Sequence, residues 1–312
     1  MRFVHSFEDA QLTEDSVVTI GSFDGVHRGH QALIKQARTA ALLAQRAAVV
    51  ITFFPHPSVV LGRAQPYYLT GPEEKLVQLN RAGVDWLIEL PFTLETAQVR
   101  AAEFVDQMLR RLRMRELWIG HDFALGYRRE GDAEFLTKLG QARGFAVHAV
   151  DPLTNDGEII SSSNIRAALR EGDVAHAAKL LGRPFRLSGR VVPGDGRGRQ
   201  LGIPTANLDV WQEHAVPANG VYACRAWVGH IPHRAAVNIG TRPTVTAEAR
   251  RTVEAHLLNF DRDMYGLNIA LDFFERLRGE QKFASVQALT AQIKSDVETT
   301  RSLLSDQVMR DT

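Results

Sequence analysis

The sequence has very little cysteine: Cys224 is the only one among 312 residues. An intrachain disulfide is therefore impossible, which favours a reducing compartment. The sequence also lacks any apolar run of about 18 residues, the length that a membrane-spanning helix needs, and its first residues carry no apolar signal segment. We therefore expect a cytoplasmic protein with no membrane partner.

An excess of either charge is also absent. Lys and Arg together number 37 and Asp and Glu 36, which leaves a net charge of +1. Proteins that bind nucleic acids usually carry a basic stripe or patch, so we expect no nucleic-acid partner. The length allows two domains and a sizeable core, and the hydrophobic fraction of 45% is that of an ordinary globular protein.

The first half of the sequence alternates strand-like and helix-like segments. Such alternation predicts βαβ units and a parallel sheet, with ligands beyond the carboxyl ends of the strands. After Gly182-Arg183-Pro184, short β-rich runs predict a sandwich or barrel, followed by a final helix over 285–304. The predicted domains are 1–182 and 183–312, and the fold class is α/β followed by β.

A glycine-punctuated turn follows the first buried strand candidate and opens a helix on two histidines, His27 and His30. Glycine lets backbone approach a nucleotide closely, and the N–H groups of a helix N-terminus attract phosphate. Histidines there can donate hydrogen bonds to charge that develops on a phosphate under attack. The turn predicts an ATP site formed by Gly21, Phe23, Asp24, Gly25, His27, Gly29 and His30.

Two further segments accompany this turn. A serine run, Ser161 and Ser162, precedes Arg166, and hydroxyls with a guanidinium can bind phosphate oxygens, although serine before a helix is equally typical of an N-cap. The segment 120–132 also follows a strand candidate, which predicts ligand contact from Asp122 and Phe123.

A second glycine-rich segment, 194–207, lies in the β-rich half. Its glycines predict a loop that surrounds phosphates: Gly194, Gly196, Gly198 and Gly202. Thr205 and Asn207 offer hard oxygen ligands suited to Mg²⁺. A phosphoryl acceptor needs a base, and Glu254 is a candidate on a predicted strand, where a carboxylate facing solvent is the ordinary alternative.

These motifs, in this order, resemble the bifunctional bacterial riboflavin kinase/FAD synthetase family. The resemblance implies a Rossmann-like nucleotidylyltransferase domain that adenylylates FMN to FAD, and a Greek-key barrel that phosphorylates riboflavin to FMN. It implies Mg²⁺ or another divalent cation, with ATP, riboflavin and FMN as substrates. It assigns phosphate contacts to His27, His30, Ser161, Ser162 and Arg166, metal and ATP contacts to Thr205 and Asn207, the general base to Glu254, and flavin contacts to Asp122, Phe123 and Arg278.

Two departures from the family pattern keep an alternative open. Phe54 stands where the family commonly has an acidic residue, and Leu125 where it often has phenylalanine. A monofunctional riboflavin kinase with an impaired adenylyl-transfer site is therefore the alternative hypothesis. Two weaker alternatives are a protein that senses flavin without converting it and an RNA-binding protein with a synthetase-like ATP domain. We expect the protein to be a monomer or weak homo-oligomer.

Overall fold

The computed structural model describes residues 1–194, 198, 202–242, 250–306 and 309. The chain divides into two compact units, Met1–Ser162 and Ser163–Thr312. Gly196 of the predicted phosphate loop lies outside the described residues. The predicted division into functional domains, 1–182 and 183–312, stays a prediction.

A six-stranded parallel sheet forms the first unit, in the order β1-β4-β3-β2-β5-β6. The strand β2 is buried along its whole length, because helices cover both faces of such a sheet. The strands are β1 (Arg2–Val4), β2 (Ser16–Ile20), β3 (Ala47–Phe54), β4 (Trp86–Pro91), β5 (Met114–Gly120) and β6 (Ala146–Val150).

The helices of this unit begin where the sequence supplies caps. His27 caps α1, Pro72 begins α3 with acidic residues in its first turn, and Asp132 caps α5. The helices are α1 (Arg28–Leu43), α2 (Pro57–Val60), α3 (Pro72–Arg81), α4 (Ala101–Leu112) and α5 (Ala133–Arg143). A short hairpin of β7 (Thr154–Asn155) and β8 (Glu158–Ile159) precedes the serine segment.

A closed antiparallel barrel, in the order β10-β13-β12-β11-β14-β9, forms the second unit. Alternate residues point inward, so on β13 Val253, Ala255 and Leu257 are buried whereas Glu254 and His256 are half-buried. The strands are β9 (Phe185–Val192), β10 (Ala206–Val210), β11 (Gly220–Val228), β12 (Ile231–Arg242), β13 (Arg250–Leu257) and β14 (Asn268–Arg278).

Among the described residues, three helices accompany the barrel: α6 (Ser162–Glu171), α7 (Val174–Leu181) and α8 (Val286–Leu303). The end of α6 is fixed to the barrel by Arg276, which donates to the carbonyl of Glu171 at 2.9 Å. The face that α8 buries includes Asp296 and Thr300, whereas Val286 at its start is 58% exposed. Asp296 pairs with Arg278 of β14 at 2.9 Å, so an ion pair joins this helix to the barrel.

Candidate nucleotide sites

The turn after β2 lies at the switch point of the first sheet. The chain passes from β2 to β3 on one side, and β5 pairs with β2 on the other. In parallel sheets ligands bind at the carboxyl ends of the strands beside such a point. The turn after β2 and the segment after β5 therefore begin side by side at the edge where the sequence predicts ATP.

The interior of this turn is closely packed. Phe23 and Val26 are each 1% exposed, and Phe23, Gly25 and Val26 have positive φ values of 49°, 82° and 40°. Positive φ is costly for non-glycine residues and persists where the surroundings fix it, often at functional sites. Phe23 packs edge-on against the His30 ring with 5.2 Å between the centroids, so its ring supports a histidine.

The rings of His27 and His30 stack, with 3.6 Å between their centroids. The Nδ1 atom of His27 accepts a hydrogen bond from the backbone N–H of His30 at 3.3 Å, which leaves the proton of a neutral ring on Nε2. Burial, and secondarily His27, lower the pKa of His30 well below its ordinary value. Nδ1 of His30 is buried and forms no hydrogen bond with the described residues.

Asp24 is 4% exposed, and its carboxylate holds a neighbouring segment of backbone. It accepts from the N–H of Leu69 at 2.9 Å and from the N–H of Thr70 at 3.3 Å. The Thr70 hydroxyl in turn accepts from the N–H of Gly25 at 3.2 Å. Asp24 therefore fixes the turn against residues 69–70, a structural use that the sequence alone did not indicate.

The serine segment reaches the same turn. The Ser162 hydroxyl donates to the carbonyl of Asp24 at 2.9 Å, and a Cβ on Gly29 would lie 3.1 Å from the His27 ring and 3.4 Å from the carbonyl of Ile160. Arg28 donates to Asn155 of the preceding hairpin at 2.8 Å. Position 29 therefore leaves little room for a larger residue between the histidine turn and the serine segment.

Ser161 is half-buried next to Ser162. Arg166 is a half-buried residue of α6, on the part of that helix that belongs to the second unit. Its predicted phosphate contact stays a prediction.

The segment after β5 packs against the start of α4. A Cβ on Gly126 would lie 2.5 Å from the backbone nitrogen of Ala101, so these chains approach as only glycine permits. Asp122 is exposed, and Phe123 packs partly against the core. Leu125 is 8% exposed and belongs to that core. The flavin contacts of Asp122 and Phe123 stay predictions.

An aromatic cleft opens beside the turn, at the end of β3. Lys75, 7% exposed, lies in its wall and forms an ion pair with Glu89 at 2.9 Å. Its ammonium group is 5.9 Å from the centroid of the Phe54 ring. The cleft is lined by Ser22, Asp24, Phe53, Phe54, His56, Tyr68, Thr70, Pro72 and Lys75.

In the barrel, strand register brings the predicted kinase residues into one row. Glu254 on β13 is the register partner of Asn207 on β10 and of Asn238 on β12. Residues directly opposite in neighbouring strands point to the same face and lie in reach of one another. Asn238 was not predicted as a site residue.

Glycines of the second loop pack directly on this row. A Cβ on Gly194 would collide with the side-chain amide of Asn207, and one on Gly198 would collide with the carbonyl of Ile203 and lie 3.2 Å from the Thr205 hydroxyl. Gly202 has a positive φ of 71°. Gly194, Gly198, Thr205, Asn207 and Glu254 thus converge on one region of the barrel.

Arg278 ends β14, where its guanidinium pairs with Asp296 of α8 at 2.9 Å. It also lies 5.7 Å from the centroid of the Phe283 ring. This arrangement fixes the last helix to the barrel. A flavin contact of Arg278 stays a prediction.

Two family models match the chain, one for each half. The FAD synthetase model matches residues 9–164, and the riboflavin kinase model matches residues 181–304. A bifunctional riboflavin kinase/FMN adenylyltransferase of Listeria monocytogenes is 38% identical over 293 residues, which cover 93% of each chain. The chain belongs to the bifunctional riboflavin kinase/FMN adenylyltransferase family.

Other relatives agree over nearly the whole length. The Escherichia coli protein of the same name is 39% identical over 304 residues, which cover 96% of each chain. A crystal structure titled macrolide-efflux protein, from Streptococcus pneumoniae, is 33% identical with a TM-score of 0.89 and covers 96% of this chain and 98% of its own. Over the described part of this chain, no helix has the length and apolar character needed to cross a membrane.

Family membership confirms the predicted resemblance and fold class. The chain has a FAD synthetase domain and a riboflavin kinase domain, and it is a transferase. The histidine turn and the segment 120–132 lie inside the first matched range, whereas Thr205, Asn207 and Glu254 lie inside the second. Arg166 lies between the two ranges.

Proposed function

We propose that this chain makes FAD from riboflavin in two steps. The second unit transfers the γ-phosphoryl group of ATP to riboflavin, giving FMN and ADP. The first unit transfers the adenylyl group of another ATP to FMN, giving FAD and pyrophosphate. The observation that carries the proposal is the presence of both family domains, each with its nucleotide motif assembled.

In the kinase step, Glu254 is the general base. Its carboxylate accepts the proton of the ribityl 5′-hydroxyl as that oxygen bonds to the γ-phosphorus of ATP and the bond to the ADP oxygen breaks. Asn207 and Asn238 flank Glu254 in the strand register and orient groups around it. Backbone near Gly194, Gly198 and Gly202 contacts the phosphates of ATP, and Arg278 contacts the flavin.

The residues near Glu254 fit a magnesium ion. Among the described residues no group of His, Cys, Asp and Glu side chains could hold a metal unaided, but Mg²⁺ usually takes one or two protein ligands and completes its shell with phosphates and water. Thr205 and Asn207 supply oxygens beside glycines whose Cβ atoms would crowd them. Bound there, the ion neutralises charge on the phosphates.

In the adenylyl step, a phosphate oxygen of FMN bonds to the α-phosphorus of ATP and the bond to pyrophosphate breaks. The nucleophile is already ionised, so the reaction needs positioning and charge stabilisation, with no base. His27 and His30 donate hydrogen bonds to the phosphates. The other contacts are made by the turn Gly21, Phe23, Asp24, Gly25 and Gly29, by Ser161, Ser162 and Arg166, and, on the flavin, by Asp122 and Phe123.

The proposed partners are small molecules only. We propose that the chain works in the cytoplasm as a monomer or weak homo-oligomer, without nucleic acid. The near balance of charge supports the last point.

A time course with purified protein, riboflavin, ATP and Mg²⁺ tests the proposal, with the flavins separated by chromatography. FMN should rise first and FAD should follow, and excess chelator should stop both steps. Riboflavin left unchanged would refute the proposal. Accumulation of FMN without FAD would instead support the alternative of a monofunctional kinase, the outcome to which the Phe54 departure points.

A further inference from the structure

His256 stands two residues beyond Glu254 on β13 and has no part in the chemistry described above. Its Nδ1 atom lies 2.8 Å from the carbonyl oxygen of Pro204. The two residues are 52 positions apart in the sequence, so this bond joins separate parts of the barrel. Pro204 directly precedes Thr205.

The direction of this hydrogen bond follows from its partner. A carbonyl oxygen can only accept, so Nδ1 of His256 carries the proton and donates. In a neutral ring, Nε2 is then the atom without hydrogen. The contact thus assigns the tautomer of the imidazole.

This hydrogen bond is one of two that fix the backbone of the segment 203–205, which bears Thr205. On one side, the N–H of Ile203 donates to the carbonyl of Gly198 at 2.8 Å, which fixes the start of the segment 203–205. On the other side, the carbonyl of Pro204 is held by His256. Proline restricts the backbone between these two anchors because its φ is fixed.

The strand that carries His256 also carries Glu254 on the same face. Glu254 is the register partner of Asn207, which follows Thr205 by two residues. The segment that bears the proposed metal ligands is therefore tied to β13 at two points, at Asn207 by the strand ladder and at Pro204 by His256.

We propose that His256 is a positioning residue of the kinase site. By holding the Pro204 carbonyl, it fixes the Thr205 hydroxyl relative to the Glu254 carboxylate, so that ATP and the base keep one separation. The inference rests on the proposed kinase function, and it predicts an effect on the use of ATP that exceeds any effect on the binding of riboflavin.

Two amide substitutions test which nitrogen matters. His256→Asn places an amide N–H near the position of Nδ1, whereas His256→Gln places it near Nε2. We expect His256→Gln to lower kcat/KM for ATP in FMN formation by roughly tenfold to a hundredfold, the usual cost of a small misplacement. His256→Asn should retain activity within about threefold, because its amide N–H can still donate to the Pro204 carbonyl, and KM for riboflavin should change in neither variant.

Matched measurements separate the possible outcomes. The rate of FAD formation from FMN and the thermal unfolding midpoint report folding. Wild-type rates in both variants, equal losses in both, or better activity in His256→Gln would each overturn the inference. In the wild-type protein, a nitrogen NMR spectrum that finds the proton on Nε2 would also overturn it. Full kinase activity in Glu254→Gln would instead refute the proposed base.

Discussion

The two proposed nucleotide loops are anchored in different ways. The histidine turn of the first unit is part of a core: Asp24 and His27 are 4% and 6% exposed, and the turn is bonded to residues 69–70 and to the serine segment. Thr205 and Asn207 of the second unit are half-buried at the surface of a barrel whose core lies on the other side of the sheet. Substitutions should therefore affect stability and activity together in the first loop, and activity alone in the second.

Glu254→Gln provides the sharpest test of the second half of this comparison. Removing a general base should lower the rate of FMN formation by about 10²- to 10⁴-fold. FMN should still be converted to FAD, and the unfolding midpoint should not change. Parallel loss of both activities in a folded variant would contradict independent sites. Separate assays started from riboflavin and from FMN measure the two rates.

His30→Ala tests the first half of the comparison at a residue proposed to contact the phosphates. Loss of one preorganised donor to developing charge should slow FAD formation by about 10²- to 10³-fold. FMN formation serves as the internal control and should remain at the wild-type rate. Normal FAD production by this variant would remove His30 from the phosphate contacts.

Asp24→Ala tests whether the first turn depends on its core. The variant leaves the buried N–H groups of Leu69 and Thr70 without their acceptor, which should lower the free energy of unfolding by about 1–3 kcal/mol. FAD formation should fall with it. Asp24→Asn retains one acceptor oxygen and should be intermediate. Unfolding in urea, followed together with both activities, gives the comparison; a stable variant with normal FAD formation would contradict it.

Gly194→Ala gives the smallest expected effect, in the second loop. The added methyl group would collide with the Asn207 amide, so kinase activity should fall about tenfold as that side chain is displaced. Gly279→Ala is the matched control, since a Cβ there would meet no atom closer than 3.9 Å. Unfolding midpoints should be similar in both variants. Equal activity in the two would show that Gly194 is not needed for close packing.

Much of the fold could be predicted from local signals. The predicted final helix, 285–304, agrees with α8 (Val286–Leu303) to within one residue at each end, because helical spacing and the Ser285 cap agree there. The start of β10 was missed, although Ala206, Leu208 and Val210 alternate with polar residues, because the segment 194–207 was interpreted as a phosphate loop. The strand forms because β9 and β13 pair with it on both sides, which is tertiary information.

For the candidate site, too, some residues could be predicted from the sequence and others could not. Motif residues such as His27 and Thr205 could be named from the sequence because their types and spacing suit phosphate and metal. The role of Asp24 in holding residues 69–70, and that of His256 in holding Pro204, depend on contacts between distant parts of the chain. Alternation along β13 places His256 on the face of Glu254, and this was the one signal that could have found it.

The open sheet of the first unit has a consequence for handling the protein. Its β1 edge is a strand of three residues, in which Arg2 pairs with Trp86 and lies 5.0 Å from the centroid of that indole. Deleting residues 2–4 would expose the unpaired backbone N–H and C=O groups of β4, and an exposed edge strand can pair with strands of other chains. Expression tags are therefore better cleaved before Met1 than within the first few residues. If a chain shortened at this end aggregates, the exposed edge of β4 would be the expected cause.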